Sequence, residues 1–244
     1  ALILGRAWPV LLAVAIWGKP ARRWLYGLAL LPVGVALYLT FSKGALLLGL
    51  PVGLSVLGGL YLRFGRRRLS WQRLGLITAG TVAVILLALI PVSQTARFRA
   101  AFSLSEGSTG FFRLKLWQSA WAMLQDHWLL GVGLDNFLYQ YRTRYIRPEA
   151  WQEPDLNHPH NLILDFGTRL GLGGIILLLW LQFEFWRRTW RLLTRRFDPL
   201  VVGLAGSMAV TLGHGLVDNA YFLVDLAFIF FLTLGLVQRL AEQQ

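Results

Sequence analysis

The sequence has no cysteine, which excludes disulfide bonds and cysteine chemistry of any kind. Charge is also scarce. Only 15% of the 244 residues are charged, against 56% hydrophobic and a mean hydropathy of +0.54, and this balance excludes an ordinary soluble domain. Acid is scarcer than base, with 12 Asp and Glu against 24 Lys and Arg, a net charge of +12. In a soluble protein that surplus would point to nucleic acid. Here the basic residues cluster between apolar runs, where they set topology and meet anionic lipid, so the bilayer is the expected partner and nucleic acid is not. No signal peptide is visible and Ala1 already lies inside an apolar run, so the expectation is a piece lacking upstream helices. No internal repeat is evident.

What is present is a set of seven apolar runs: roughly Ala7 to Trp17, Trp24 to Phe41, Gly44 to Leu62, Leu74 to Val92, Asn161 to Trp186, Pro199 to Leu216 and Tyr221 to Val237. They define an all-α fold class, a polytopic transmembrane helix bundle with about seven segments in this piece. Residues 1–92 and 161–244 hold the membrane helices, and 93–160 form a long loop. Basic clusters separate the runs: Lys19, Arg22 and Arg23, then Arg63, Arg66, Arg67, Arg68 and Arg73, then Arg187, Arg188, Arg191, Arg195 and Arg196. If all three are cytoplasmic, as the positive-inside rule asks, every run alternates without conflict and Arg239 also falls inside. The turn Thr40 to Gly44, the long loop and the turn Asp218-Asn219-Ala220 then share the outer side.

A loop of that length is functional or has structure of its own. From Phe111 to Trp128 the residues Leu114, Trp117, Trp121 and Leu124 recur at helical period, giving an aromatic face suited to the interface, with Arg113 on the face of Trp117. Gly131-Val132-Gly133 ends this helix as a turn, and without a preceding strand or a Lys-Ser/Thr partner it is no nucleotide loop. A second short helical stretch runs from Asp135 to near Pro148. Ser103 to Gly110, rich in Ser and Gly, reads as a mobile segment ahead of both.

Asn157-His158-Pro159-His160-Asn161 ends the loop where a helix of more than twenty residues begins, long enough to cross roughly 30 Å at about 1.5 Å per residue. Both imidazoles therefore lie at a membrane surface. They could cap or solvate the helix; as chemistry, a neutral imidazole suits a general base or a donor to developing negative charge. A His-x-His pair could ligate metal, but beyond Asp155 no third ligand is apparent, so no metal is expected. Asn161, Asp165 and Arg169 follow at a spacing of four on one helix face, and Asp165 and Arg169 are expected to pair inside the bundle in a structural role. Lys43 sits in a tight turn on the side the charge rule disfavours, which leaves anion binding and snorkelling balanced. Arg97, Arg99, Arg142, Arg144 and Arg147 read as snorkelling or lipid-binding groups. His214, Asp218 and Asp225 carry weak signals, with packing or hydrogen bonding as the expected role.

Ser42-Lys43-Gly44, Arg113 to Trp117, Leu129-Leu130-Gly131-Val132-Gly133 to Phe137, and His158-Pro159-His160-Asn161 with Gly171 to Gly174, in this order, resemble the motifs of the O-antigen ligase and O-antigen polymerase superfamily. The match runs from about Ser42 to the last helix and corresponds to the C-terminal part of a family with about a dozen helices. The resemblance implies a bacterial inner-membrane enzyme. It would transfer a glycan from an undecaprenyl diphosphate carrier, on the periplasmic face, to a lipid A core or to another glycan, with no metal or other cofactor. It maps the family's two arginines and histidine to Lys43, Arg113 and His160, with His158 a close second. Lys43 departs from the pattern, since lysine lacks the planar fork that grips phosphate oxygens in two places. Arg113 and Lys43 are then the diphosphate clamp, His160 the group that accepts the acceptor's proton, and Asn161, Asp165, Arg169 and Trp117 the support. Two other classes compete: a transporter of a small anion such as bicarbonate, and a non-catalytic scaffold for envelope assembly. Charges gathered at one face rather than at the midplane favour the interfacial enzyme over the transporter.

Overall fold

The computed structural model describes residues 1–65, 90–91 and 93–243. Within them the chain is all helical and divides into two compact units. The expected run from Leu74 to Val92 lies almost entirely outside the described residues.

The first unit comprises residues 1–94, 185–214 and 225–244. It holds α1 (Leu2–Trp17), α2 (Pro20–Leu39), a π turn (Ala45–Gly49) running into α3 (Leu50–Phe64), the end of α7, then α8 (Pro199–Gly215) and α9 (Val224–Glu242). Pro20 sits at the first position of α2, where its missing N–H costs nothing. Helix α8 is the centre: Val201, Val202, Ala205, Met208 and Val210 are all buried. Small residues let neighbours close on it. A β-carbon on Gly203 would stand 2.7 Å from the backbone of Val10, and one on Gly53 would stand 2.7 Å from Val210, the small-residue packing that membrane helices use. Outward, α2 exposes Trp24, Leu28, Leu31, Val35 and Leu39, an apolar stripe that hydrocarbon accepts and water penalises.

Ala45–Phe64, Leu162–Arg195 and Val224–Glu242 are each long and apolar enough to cross a membrane. Leu2–Trp17 and Pro199–Gly215 are apolar but shorter. Helix α7 (Leu162–Arg195) is longer than the run Asn161 to Trp186, because the basic stretch beyond Trp186 continues the helix instead of ending it.

The second unit comprises residues 95–184 and 215–224. Here the long loop folds on itself. It forms α4 (Ala96–Phe102), α5 (Thr109–Asp126), α6 (Phe137–Gln140) with a π turn (Tyr141–Tyr145), and a short 3-10 turn (Pro148–Ala150). Ser108 caps α5 by accepting the N–H of Phe111 at 3.2 Å, so the Ser/Gly-rich segment ends in an ordered cap. Leu116, Ala120 and Met123 of α5 pack against fully buried Phe137 and Tyr141, with Val132, Tyr145, Ile146, Leu156 and Leu164 around them. Two surface helices joined by a turn are therefore a folded cap with its own core.

The turn Gly131-Val132-Gly133 does more than end α5. Gly171, with φ +63°, breaks α7 internally, which frees the carbonyls of Thr168 and Arg169 and the N–H of Leu172 from helical bonding. Val132 N–H donates to Thr168 O at 2.8 Å, Gly133 N–H to Arg169 O at 3.0 Å, and Leu172 N–H to Trp128 O at 2.7 Å. The loop thus satisfies three of the groups the break exposes. Contact is backbone on backbone: a β-carbon on Gly171 would lie 2.4 Å from Leu129, and one on Gly131 would lie 2.5 Å from Arg169. Gly171→Ala is expected to lower thermal stability by more than the ~1–3 kcal/mol that this positive-φ backbone alone costs a non-glycine residue. Gly173→Ala, with nothing within 4 Å of the new methyl, should be neutral or gain up to about 1 kcal/mol; melting both variants in detergent checks the contrast.

Candidate active site

The second unit assembles its polar side chains around His158-Pro159-His160-Asn161, and three anchors hold that segment. Arg169 fixes its start: the guanidinium donates to Asn157 O at 2.8 Å, to Leu134 O, and to Asp165 Oδ1 at 2.6 Å, with Asp135 at 3.9 Å. It also lies 4.8 Å from the ring centre of Phe222. The expected Asp165–Arg169 pair is present and buried, at 2% and 7% side-chain exposure. Trp117 of α5 fixes the middle, donating its indole N–H to Pro159 O at 2.9 Å. Asn161 fixes the end, its side-chain oxygen capping Ile163 and Leu164 at 3.0 Å each, while its amide donates to Leu216 O at 3.0 Å.

Between these anchors His160 holds a left-handed backbone with φ +49°, a conformation that costs a non-glycine residue energy and concentrates at functional sites. Its N–H donates to His158 Nδ1 at 3.2 Å, and the two rings stand 4.1 Å apart. His160 Nδ1 lies 3.0 Å from Asp218 Oδ1. These bonds fix both tautomers. A carboxylate accepts, so a neutral His160 carries its proton on Nδ1 and leaves a lone pair on Nε2. His158 accepts at Nδ1, so when neutral it carries its proton on Nε2 and is a donor there. Burial, with the charges of His160 and Arg169 adding to it, pushes the His158 imidazole down to about 4 despite the opposing pull of Asp218.

Arg113 lies one turn before Trp117, about 6 Å along the same helix. It is half-buried and makes no hydrogen bond or ion pair among the described residues. Trp121, a turn further on, is exposed. Arg142 pairs with Asp155 at 3.1 Å and Lys115 with Glu149 at 3.2 Å, surface contacts worth little. Among the described residues no group of three or more His, Cys, Asp or Glu is arranged to hold a metal.

Lys43 belongs to the first unit. Its turn is tight, with Phe41 at φ +48° and Ser42 Oγ 3.5 Å from Nε2 of buried His214. His214 and Asp218, four apart in sequence, thus serve different units, His214 beside Ser42 and Asp218 on His160. Asp218 makes the hydrogen bond expected of it, and its partner is His160. Its signal was its turn, Asp218-Asn219-Ala220, assigned to the same side as the histidines.

The chain matches the family model described as O-antigen ligase, Wzy_C, over residues 28–179. That span is more than half of its length, and the chain belongs to this O-antigen ligase family. No curated protein matches it. The matched span contains Lys43, Arg113, Gly131, His158, His160, Arg169 and Gly171, and leaves Asp218 outside.

Two outcomes follow. Arg169→Met leaves Asp165 buried without its partner and should cost about 3–5 kcal/mol, with Arg169→Lys recovering only part, since one ammonium cannot reach three acceptors in a plane; chemical or thermal unfolding measures both. His158 binds a proton less readily in the folded chain than in the unfolded one, whose ordinary value is about 6.5. As pH falls from about 6.5 to about 4, the unfolded chain gains the proton first and stability falls. His158→Gln should remove that part of the pH dependence of the melting temperature.

Proposed function

We propose that this chain is an O-antigen ligase-like glycan transferase of the bacterial inner membrane. It moves a glycan from an undecaprenyl diphosphate carrier to an acceptor hydroxyl on the periplasmic side. The observation that carries this reading is the His160–Asp218 contact at 3.0 Å, because it leaves a lone pair on His160 Nε2, the atom that a general base needs. The acceptor hydroxyl gives its proton to Nε2 as its oxygen attacks the anomeric carbon. Asp218 stabilises the imidazolium formed and does not itself take the proton.

The anomeric C–O bond breaks with its electron pair going to the diphosphate. Negative charge therefore grows on phosphate oxygens, and cations fixed beside them lower the barrier. Arg113 is assigned this role. The Nε2–H of His158, neutral at physiological pH, donates to substrate oxygen without adding charge. Trp117 holds the histidine loop, and Trp121 offers an exposed ring to sugar or lipid at the interface. A single displacement inverts the anomeric centre.

The polymerase reading differs in the acceptor, a second glycan in place of lipid A core. Transfer from a lipid-linked donor, read by gel mobility with each acceptor in turn, distinguishes them. His160→Asn, chosen because asparagine tolerates the left-handed backbone, and Asp218→Asn should each lower transfer by about a hundredfold or more with the melting temperature little changed. Arg113→Ala should lose comparably and Arg113→Lys less. Wild-type transfer by folded His160→Asn and Arg113→Ala together would leave the scaffold reading in its place.

A further inference from the structure

The first unit contains a cavity of about 290 Å³ that the glycan-transfer reading does not use. Arg187, Arg188, Arg191, Leu192 and Arg195 of α7 line it, with Ala241 and Glu242 of α9. Arg187, Arg191 and Arg195 are spaced one turn apart, about 6 Å each, so they form one stripe. Four cations thus face one carboxylate. That carboxylate already accepts from Gln238 Nε2 at 3.0 Å, and Arg191 and Arg195 make no ion pair among the described residues. Arg191 and Arg195 thus present forked donors to whatever enters the cavity.

Its position selects the occupant. It lies at the basic end of the 34-residue helix that is long enough to cross a membrane, beside Trp186 and Trp190. Trp190 is half exposed and stacks edge-on with Phe64 at 4.8 Å, with the Arg63 guanidinium 5.9 Å from its ring. Tryptophans among arginines mark the headgroup level of a bilayer, and basic pockets between spanning helices take anionic headgroups there. Leu192 and Ala241 add apolar lining that a soluble anion does not need. We propose that this cavity binds the phosphate of an anionic phospholipid headgroup, whose acyl chains run along the lower part of α7. Arginine forks grip phosphate oxygens in two places, which a zwitterionic headgroup with its own ammonium would satisfy less well. These residues lie beyond the span matched to the family, and the site stands independently of glycan transfer.

The test is thermal unfolding of the detergent-purified chain titrated separately with phosphatidylglycerol, phosphatidylcholine and glycerol 3-phosphate. Arg191 and Arg195 are exposed, so the double variant Arg191→Gln/Arg195→Gln should fold. Arg22→Gln/Arg23→Gln removes the same charge from an exposed site elsewhere in the unit. Phosphatidylglycerol should raise the wild-type melting temperature, with half-saturation weakened about ten- to thirtyfold in the cavity variant and unchanged in the control. Equal loss in both double variants would reduce the effect to general charge and overturn the proposal. Equal protection by phosphatidylcholine would overturn the selectivity for anionic lipid, and equal protection by glycerol 3-phosphate would overturn the assignment to a lipid.

Discussion

The second unit depends on one buried cation. Arg169 spends its side chain on Leu134, Asn157 and Asp165, and its backbone carbonyl on Gly133, so a single residue ties three stretches of chain that are distant in sequence. Burying a guanidinium is costly, and it persists because each face of the fork meets an acceptor and the flat side meets Phe222. The break at Gly171, two residues on, makes this possible. An unbroken helix would have consumed the carbonyls that the Gly131 to Gly133 turn now uses.

Chemistry rests on that frame in a direct way. Asn157 held by Arg169, Pro159 held by Trp117 and Asn161 held by the start of α7 leave His160 little freedom, and its left-handed backbone is the strain that such over-determination permits. The helix that supplies Trp117 also supplies Arg113, so the histidine loop and the cation share one support. Asp218 reaches His160 from the turn after α8, and Asn219 stiffens that turn by accepting from Tyr221 and Phe222. His160 is therefore oriented from two sides of one unit.

Much of this was legible in the sequence, and the gaps have physical reasons. Apolar period gave α5 and the long helix α7, because burial and hydrocarbon both write one-dimensional patterns. The Asp165–Arg169 pair followed from a spacing of four. Asp218 did not, since a contact across 58 residues leaves no local trace and a turn aspartate is ordinary. The role of Gly131, Gly133 and Gly171 was equally hidden: each glycine alone reads as a turn or a packing residue, and only the mutual backbone contact explains all three. Helix α7 extends past its apolar run because arginines leaving the hydrocarbon continue a helix readily.

The central claim is that Asp218 holds the proton of His160 on Nδ1 and leaves Nε2 free. Nitrogen-15 NMR of histidine-labelled protein, with each imidazole assigned by substitution, reads it directly. The account predicts an unprotonated Nε2 on His160 and an unprotonated Nδ1 on His158 at neutral pH, with the His160 assignment lost in Asp218→Asn. A His160 that carries its proton on Nε2 in the wild-type protein, or that is indifferent to Asp218→Asn, would contradict it.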